Sequence, residues 1–423
     1  MMLFMGCRNA EPSGDVSDVR VDSEELSAKE STKSVASQTE PFIFEAPTYE
    51  TDPDALLDAR LPIEVAREGW VRLFDQHTLY GWTIEGEANW RVEDKTITAD
   101  RGDVSFLHTS TRWSDFVLSL EFQSERDTNS GVFIRCLLQP EDVTTDCIEV
   151  NIAPPSDPFP TGSMVKRSQA KGLATDFDPT LWHRMTVRCQ NNQTTVAIDG
   201  VTVCELEADA VPRIGRVALQ HRQGRVAFRD IRIRPLGLKS LLDQSLSQWK
   251  RYPEMSGDIQ VNADGDLQVE GGKQQLESKA LFGNFILLAE YQMPNVKSNS
   301  GIFFRAIPGD VMMGYECQVN DEFLDQNPLK PADAGAGGIF RRQDARIVAS
   351  EPQRWNTIAL VADGNHFSTW VNGLQVTDVF DTRPADVNPR RGQRIEPGAI
   401  MIQGHDPTTS VRYRQIAVGS LED

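Results

Sequence analysis

Glu316 and Gln318 stand two residues apart in Tyr315-Glu316-Cys317-Gln318-Val319. Side chains alternate along an extended strand, so this spacing sends both from one face. Arg305 closes the block Asn299-Ser300-Gly301-Ile302-Phe303-Phe304-Arg305, Asp321 follows the Glu316 strand, and His405 comes two residues after Gln403. Carboxylate, imidazole and guanidinium are the groups that acid–base chemistry asks for: one takes a proton, one returns it, and a cation holds the charge that develops between. Glu316 and His405 are also metal-ligand types, so the pair could instead hold a divalent ion. Plainer readings stand beside these. Arg305 and Glu316 could form an ion pair between strands, and His405, in the turn Gln403-Gly404-His405-Asp406-Pro407, could be a surface imidazole.

The elements that must position these groups occur twice. Asn129-Ser130-Gly131-Val132-Phe133-Ile134-Arg135 returns about 170 residues later as the Asn299 to Arg305 block. The segment 115–123 answers 284–292, Trp182-His183 answers Trp355-Asn356, Ile198-Asp199-Gly200 answers Val371-Asn372-Gly373, and Leu219-Gln220 answers Ile402-Gln403. The order never breaks. That period is too long for a solenoid and suits one globular domain, so each copy should hold its own core. Residues 69–236 and 237–423 are the two expected modules, and the near absence of a linker predicts that they pack against each other.

Each module reads as all-β. Phe116 to Phe122, Met185 to Cys189 and Thr195 to Ile198 alternate as half-buried strands do. Asp199-Gly200 and Asn372-Gly373 tolerate the positive φ of a tight hairpin turn. Many short strands and little helical periodicity predict a jelly-roll β-sandwich in each copy, with one short helix within Pro53 to Arg67.

The chain has 423 residues and a formal net charge of −19, which argues against a nucleic-acid partner, since such binding needs a concentrated basic surface. Residues 11–60 hold 13 Asp and Glu against 4 Lys and Arg, and residues 1–68 are expected to form a disordered acidic tether. No apolar run is long enough to span a membrane as a helix. Met1-Met2-Leu3-Phe4-Met5-Gly6-Cys7 resembles the end of a bacterial lipoprotein signal without its charged start, so either Cys7 carries a lipid anchor on a periplasmic or cell-surface protein or it is an ordinary thiol. The remaining five cysteines cannot all pair. Cys136 and Cys147 are expected to be buried free thiols, and the lack of a C-x-x-C spacing argues against structural zinc.

The ordered series Leu73-Phe74-Asp75 with Gly81-Trp82, Asp115-Phe116, the Asn-Ser-Gly blocks, Tyr315 to Asp321, Trp355-Asn356, Asn372-Gly373, Leu219-Gln220 and Phe228-Arg229-Asp230-Ile231 resembles the 3-keto-disaccharide hydrolase domain family. The resemblance spans nearly all of residues 69 to 421, twice. It implies a concanavalin-like jelly roll and cleavage of a glycoside whose ring carbon 3 has been oxidised to a ketone. The ketone acidifies the C2 proton, a base removes it, and the C1 substituent leaves from the adjacent carbon. Under this reading Arg305 holds the enolate, directly or through a divalent ion on Glu316 and His405, either of which could instead be the base. Gln318, Asp321 and Gln403 would bind substrate. In the first copy Cys147 is expected to replace Glu316, Glu149 to replace Gln318, and Arg222 to replace His405. Arg135 and Glu149 are then left as binding residues of a scaffold module. The alternative from another class is a carbohydrate-binding surface protein on the same sandwich, since fold alone does not separate the two.

Overall fold

The structure, a computed structural model, describes residues 52–208 and 211–421. Cys7 and most of the expected tether lie outside the described residues. The described part of the tether is ordered. Asp52 caps the helix Pro53–Asp58 through the Asp54 amide at 3.0 Å, and a second short helix, Ile63–Arg67, follows. Leu56 and Ala59 are buried in the core of the second module, which fixes the segment. No helix among the described residues is long and apolar enough to cross a membrane.

The fold is the expected one: two tandem jelly-roll sandwiches, each an eight-stranded sheet on a five-stranded sheet. The predicted strands are Phe116–Ser124, His183–Gln190 and Gln193–Ile198. Both hairpin turns carry positive φ at both residues: 49° and 82° at Asp199-Gly200, 49° and 77° at Asn372-Gly373. That pairing of angles matches the right-handed twist of the flanking strands. Trp82 and Trp249 are core residues, their indole N–H groups donating to the carbonyls of Leu73 and Leu241. Cys136, Cys147, Cys189, Cys204 and Cys317 are free and buried.

The modules are joined through the outer face of the second eight-stranded sheet. On Phe285–Gln292, Leu287, Ala289 and Tyr291 face their own core, whereas Ile286 and Leu288 face outward and join the core of the first module, with Ala359, Val361 and Trp370. The matching strand of the first module has Val117, Ser119 and Glu121 at outward positions, of which Glu121 stays partly exposed. Trp370 meets Trp113 at a centroid distance of 5.7 Å and donates to the Arg72 carbonyl at 2.8 Å. Arg346 reaches Asp75 across the same junction at 2.9 Å. An apolar junction of this kind holds the modules in one arrangement.

Candidate functional site

The five-stranded sheet of the second module builds the site. Its order is Trp249–Arg251, Gln274–Phe282, Gly398–Gly404, Ser300–Ala306, Tyr315–Val319. Leu276, Ile402, Ile302, Cys317 and Val319 point into the core. The alternate positions face outward and align by register: Gln275 opposite Gln403, Gly301 opposite Gln318, and Phe303 opposite both Met401 and Glu316. Over this face lies a cleft of about 470 Å³ that brings Glu316, Gln318, Gln403 and His405 together, walled by Phe303, Met312, Phe340 and the arginines 341, 342 and 390.

Glu316 is the most perturbed acid of the cleft. Burial, then the neighbouring Asp333 charge, push its carboxyl up to about 8, with Arg341 acting the other way. The group therefore keeps its proton at neutral pH, and the carboxylate formed as pH rises through about 8 is a stronger base than an ordinary glutamate. Its carboxylate lies over Gly301, where an added Cβ would come within 2.4 Å of Glu316 Oε1. Glycine in the Asn-Ser-Gly block thus makes room for the acid. Gly301→Ala is expected to displace the flexible carboxylate and cut cleft activity by more than about tenfold while the melting temperature moves by only a few degrees. The first-module equivalent, Gly131, has a looser 3.2 Å to Glu149 Oε1, and its alanine variant should be milder in the same thermal assay.

Gln318 Nε2 donates to Asn299 Oδ1 at 2.7 Å, and Asn299 Nδ2 donates to Asp333 Oδ2 at 2.6 Å, so the amide is held in one orientation. The buried Gln403 Oε1 has no partner among the described residues. A buried acceptor left unpaired in a cleft wall suits a ligand hydroxyl. His405 Nδ1 is 2.7 Å from Asp406 Oδ2. Since a carboxylate only accepts, Nδ1 carries the proton, and Nε2 is left free to exchange one. Hydrogen bonds from Thr408 and His405 hold the Asp406 carboxyl down to about 2, so it stays ionised in that role.

Arg305 is not in the cleft. Strict alternation would place it beside Phe303, but the ladder slips between Phe303 and Ala306, and Arg305 takes a φ of 46°. This bulge turns the guanidinium away, onto the Ile395 and Glu396 carbonyls and, at 2.9 Å, Asn284 Oδ1. It is fully buried and pairs with neither Glu316 nor a substrate-facing group. Arg135 repeats the device: φ of 48°, with bonds to the Ser114 and Asn191 carbonyls and to Asp115 at 2.9 Å. Both arginines are latches of the scaffold. Asp321 is also turned inward, accepting the Tyr291 hydroxyl at 2.7 Å, with burial raising its carboxyl.

A divalent ion on Glu316 and His405 finds too few donors. Among the described residues no group of three His, Cys, Asp or Glu side chains is placed to hold one.

Register also corrects the comparison of the modules. Phe133 lies opposite Glu149 as Phe303 lies opposite Glu316, and Gly131 opposite Asn151 as Gly301 opposite Gln318. Glu149, not Cys147, is therefore the counterpart of Glu316, and burial lifts its carboxyl to about 7. Its surroundings differ. Phe106 stands where the second module has Gln275, and Phe106, Phe133, Ala218, Cys136 and Cys147 pack into an apolar cluster on that face.

Asp333, Phe340 and Arg341 were not among the residues that the sequence singled out for chemistry. Arg341 has a φ of 59°, mirrored by Lys166 at 56°, in paired bridges Ile339 with Gln343 and Met164 with Ser168. Positive φ at a non-glycine residue leaves no mark in strand periodicity, so only the repeat comparison could have flagged this turn.

No curated protein matches the chain. Among solved structures, a protein provisionally described as a glycosyl hydrolase from Parabacteroides distasonis ATCC 8503 aligns at a TM-score of 0.37 and 16% identity, covering 42% of this chain and 98% of that one. The carbohydrate-binding module CBM66 from Bacillus subtilis aligns at a TM-score of 0.29 and 16% identity, covering 36% of this chain and 95% of that one. The family model of the 3-keto-alpha-glucoside-1,2-lyase-like domain matches residues 69–234 and again 237–419. With both sandwiches matched in full, the chain belongs to the 3-keto-alpha-glucoside-1,2-lyase-like domain family, carries it twice, and has a carbohydrate-related function.

Proposed function

We propose that the second module cleaves glycosides bearing a ketone at ring carbon 3, with Glu316 as the base. The observation that carries this reading is the convergence of Glu316, Gln318, Gln403 and His405, from two distant stretches of chain, on one cleft in which the Glu316 carboxylate has no hydrogen-bond partner among the described residues. The step balances without a redox partner. Glu316 takes the C2 proton, the electron pair forms the enolate of the C3 ketone, and its return makes a C1–C2 double bond as the C1–O bond breaks. The leaving oxygen takes a proton from His405. Addition of water across the new double bond completes a net hydrolysis, whereas release of the unsaturated ketone makes the reaction a lyase. Arg341, on the cleft wall, takes the charge-holding role first expected of Arg305.

The test is incubation of the purified protein with a 3-keto-glucoside and with its unoxidised parent. Product is expected from the first only, unchanged by a chelator and retained in Glu149→Gln. Glycan binding without product would favour the binding-protein reading, and loss of product on chelation would restore the ion on Glu316 and His405. A periplasmic or cell-surface location with a lipid on Cys7 belongs to the same proposal. Mass spectrometry of the native protein checks it, and mature chain that keeps Met1 and carries no lipid excludes the anchor.

A further inference from the structure

The walls of the cleft run against the charge of the chain. The protein carries −19 overall, yet the cleft continues past Met313, Gly314, Phe340, Arg342 and Arg390 into a second hollow lined by Tyr315, Arg383, Arg391 and Arg394. Arg341, Arg342, Arg383, Arg390, Arg391 and Arg394 border the combined space, and the facing carboxylates are Glu316 and Asp333.

Two of these arginines are neutralised within the protein. Arg383 grips Asp381 through Nε at 2.9 Å and Nη2 at 2.7 Å, and Arg390 grips Asp310 at 2.7 and 2.8 Å. The others find no carboxylate among the described residues. Arg394 donates to the carbonyls of Arg305 and Pro389, and Arg341 lies over the Phe340 ring at 5.0 Å. Arg342 donates to the Arg341 carbonyl at 2.6 Å while its buried Nε has no partner. Burial, then the nearby Arg383 and more weakly Arg341, pull the Arg342 guanidinium below the usual arginine range, with Asp381 acting the other way. Uncompensated like charge lining a cavity costs stability unless a ligand supplies the counter-charge.

We propose that this second hollow is an oxoanion subsite, and that the substrate carries a carboxylate or sulfate-type group on the part attached at C1, next to the ring that the Glu316 cleft receives. Guanidinium forks match both groups by paired hydrogen bonds. The inference rests on the proposed function for the identity of the ring, and the test separates the two.

Binding of 4-carboxyphenyl glucoside and of its neutral near-isostere 4-carbamoylphenyl glucoside is measured by calorimetry on the full chain. The carboxylate is expected to bind at least about tenfold more tightly at low ionic strength, and the ratio should shrink in about 1 M salt. Arg391→Gln, at an exposed position, should reduce the ratio several-fold, and Arg342→Gln with Arg391→Gln should bring it to about one. A 4-sulfophenyl glucoside in the same assay tells whether the subsite accepts both anions or the carboxylate alone. Equal affinities in the wild type, no binding of either probe, or a ratio unmoved by the double variant overturns the subsite. Neither probe contains a ketone. A tenfold preference in a protein that fails to cleave a 3-keto-glucoside would therefore sink the proposed reaction and leave the subsite standing. Cleavage of the 3-keto forms of both probes at equal kcat/KM would do the reverse.

Discussion

Glu316→Gln is expected to lower kcat on a 3-keto-glucoside by more than about a thousandfold and at the same time to make the protein more stable in alkali. The amide keeps the shape of the acid and removes its ability to take a proton, so the rate loss reads the base and not the packing. The gain in stability follows from the sign of the titration. Burial raises the Glu316 carboxyl from 4.5 to about 8 in the folded chain, so between those values the folded state holds a proton that the unfolded state has lost. Stability from this group is whole below about pH 4.5, falls as pH rises through about 8, and is level beyond. A shift of one unit corresponds to about 1.4 kcal/mol, and discounting for solvent in the partly open cleft leaves roughly 1–3 kcal/mol. Denaturant titrations of the two proteins should coincide near pH 4.5 and separate by that amount at pH 9. Wild-type activity should meanwhile climb with pH through about 8 as the base form fills. A variant that keeps its activity, or a rate profile flat from pH 6 to 9, removes Glu316 from the role of base.

Much of the scaffold was legible because β-structure writes itself in period two. The alternation of Phe116, Leu118, Leu120 and Phe122 gave an inward face directly, and Asp199-Gly200 with Asn372-Gly373 gave the hairpins. The junction was encoded as well. Phe285-Ile286-Leu287-Leu288-Ala289 is apolar without alternation, the pattern of a strand buried on both faces, where its counterpart has Ser119 and Glu121. Glu316, Gln318, Gln403 and His405 meet in one cleft because the period-two parity read from their spacing holds along both strands. Glu149 was misaligned because the connection from Arg135 to Glu149 is three residues longer than that from Arg305 to Glu316, and matching Val-Asn to Val-Asn hid the difference. Only hydrogen-bond register resolves such a gap. Asp333 and Arg341 escaped for another reason: they reach the cleft from irregular turns, and a turn has no period to read.

Arg305→Met should destabilise the fold by about 2–4 kcal/mol, lowering the melting temperature by roughly 5–10 °C, and should reduce activity only as far as the protein unfolds or the 390s loop loosens. The expectation contradicts the role that a cation ending the Asn-Ser-Gly strand first suggests. One extra residue in the ladder inverts parity, and Gly398 lets the strands close over it: a Cβ there would lie 2.3 Å from the Arg305 carbonyl carbon, as one at Gly215 would lie 2.2 Å from that of Arg135. The guanidinium then ties the Asn284 turn to the Ile395 and Glu396 carbonyls, in the stretch that also carries Arg390, Arg391 and Arg394. Methionine fills the volume but leaves these acceptors unpaired, which is the larger part of the cost; relief from burying a charge offsets some of it. A catalytic Arg305 would behave differently, with kcat falling by orders of magnitude at an unchanged melting temperature. Measuring both on Arg305→Met, at a temperature where the variant is fully folded, separates the two. If the folded variant keeps at least a tenth of wild-type kcat while its midpoint falls, the bulged arginine is a latch, and its double at Arg135 explains why a module with an apolar cluster over its sheet retains it.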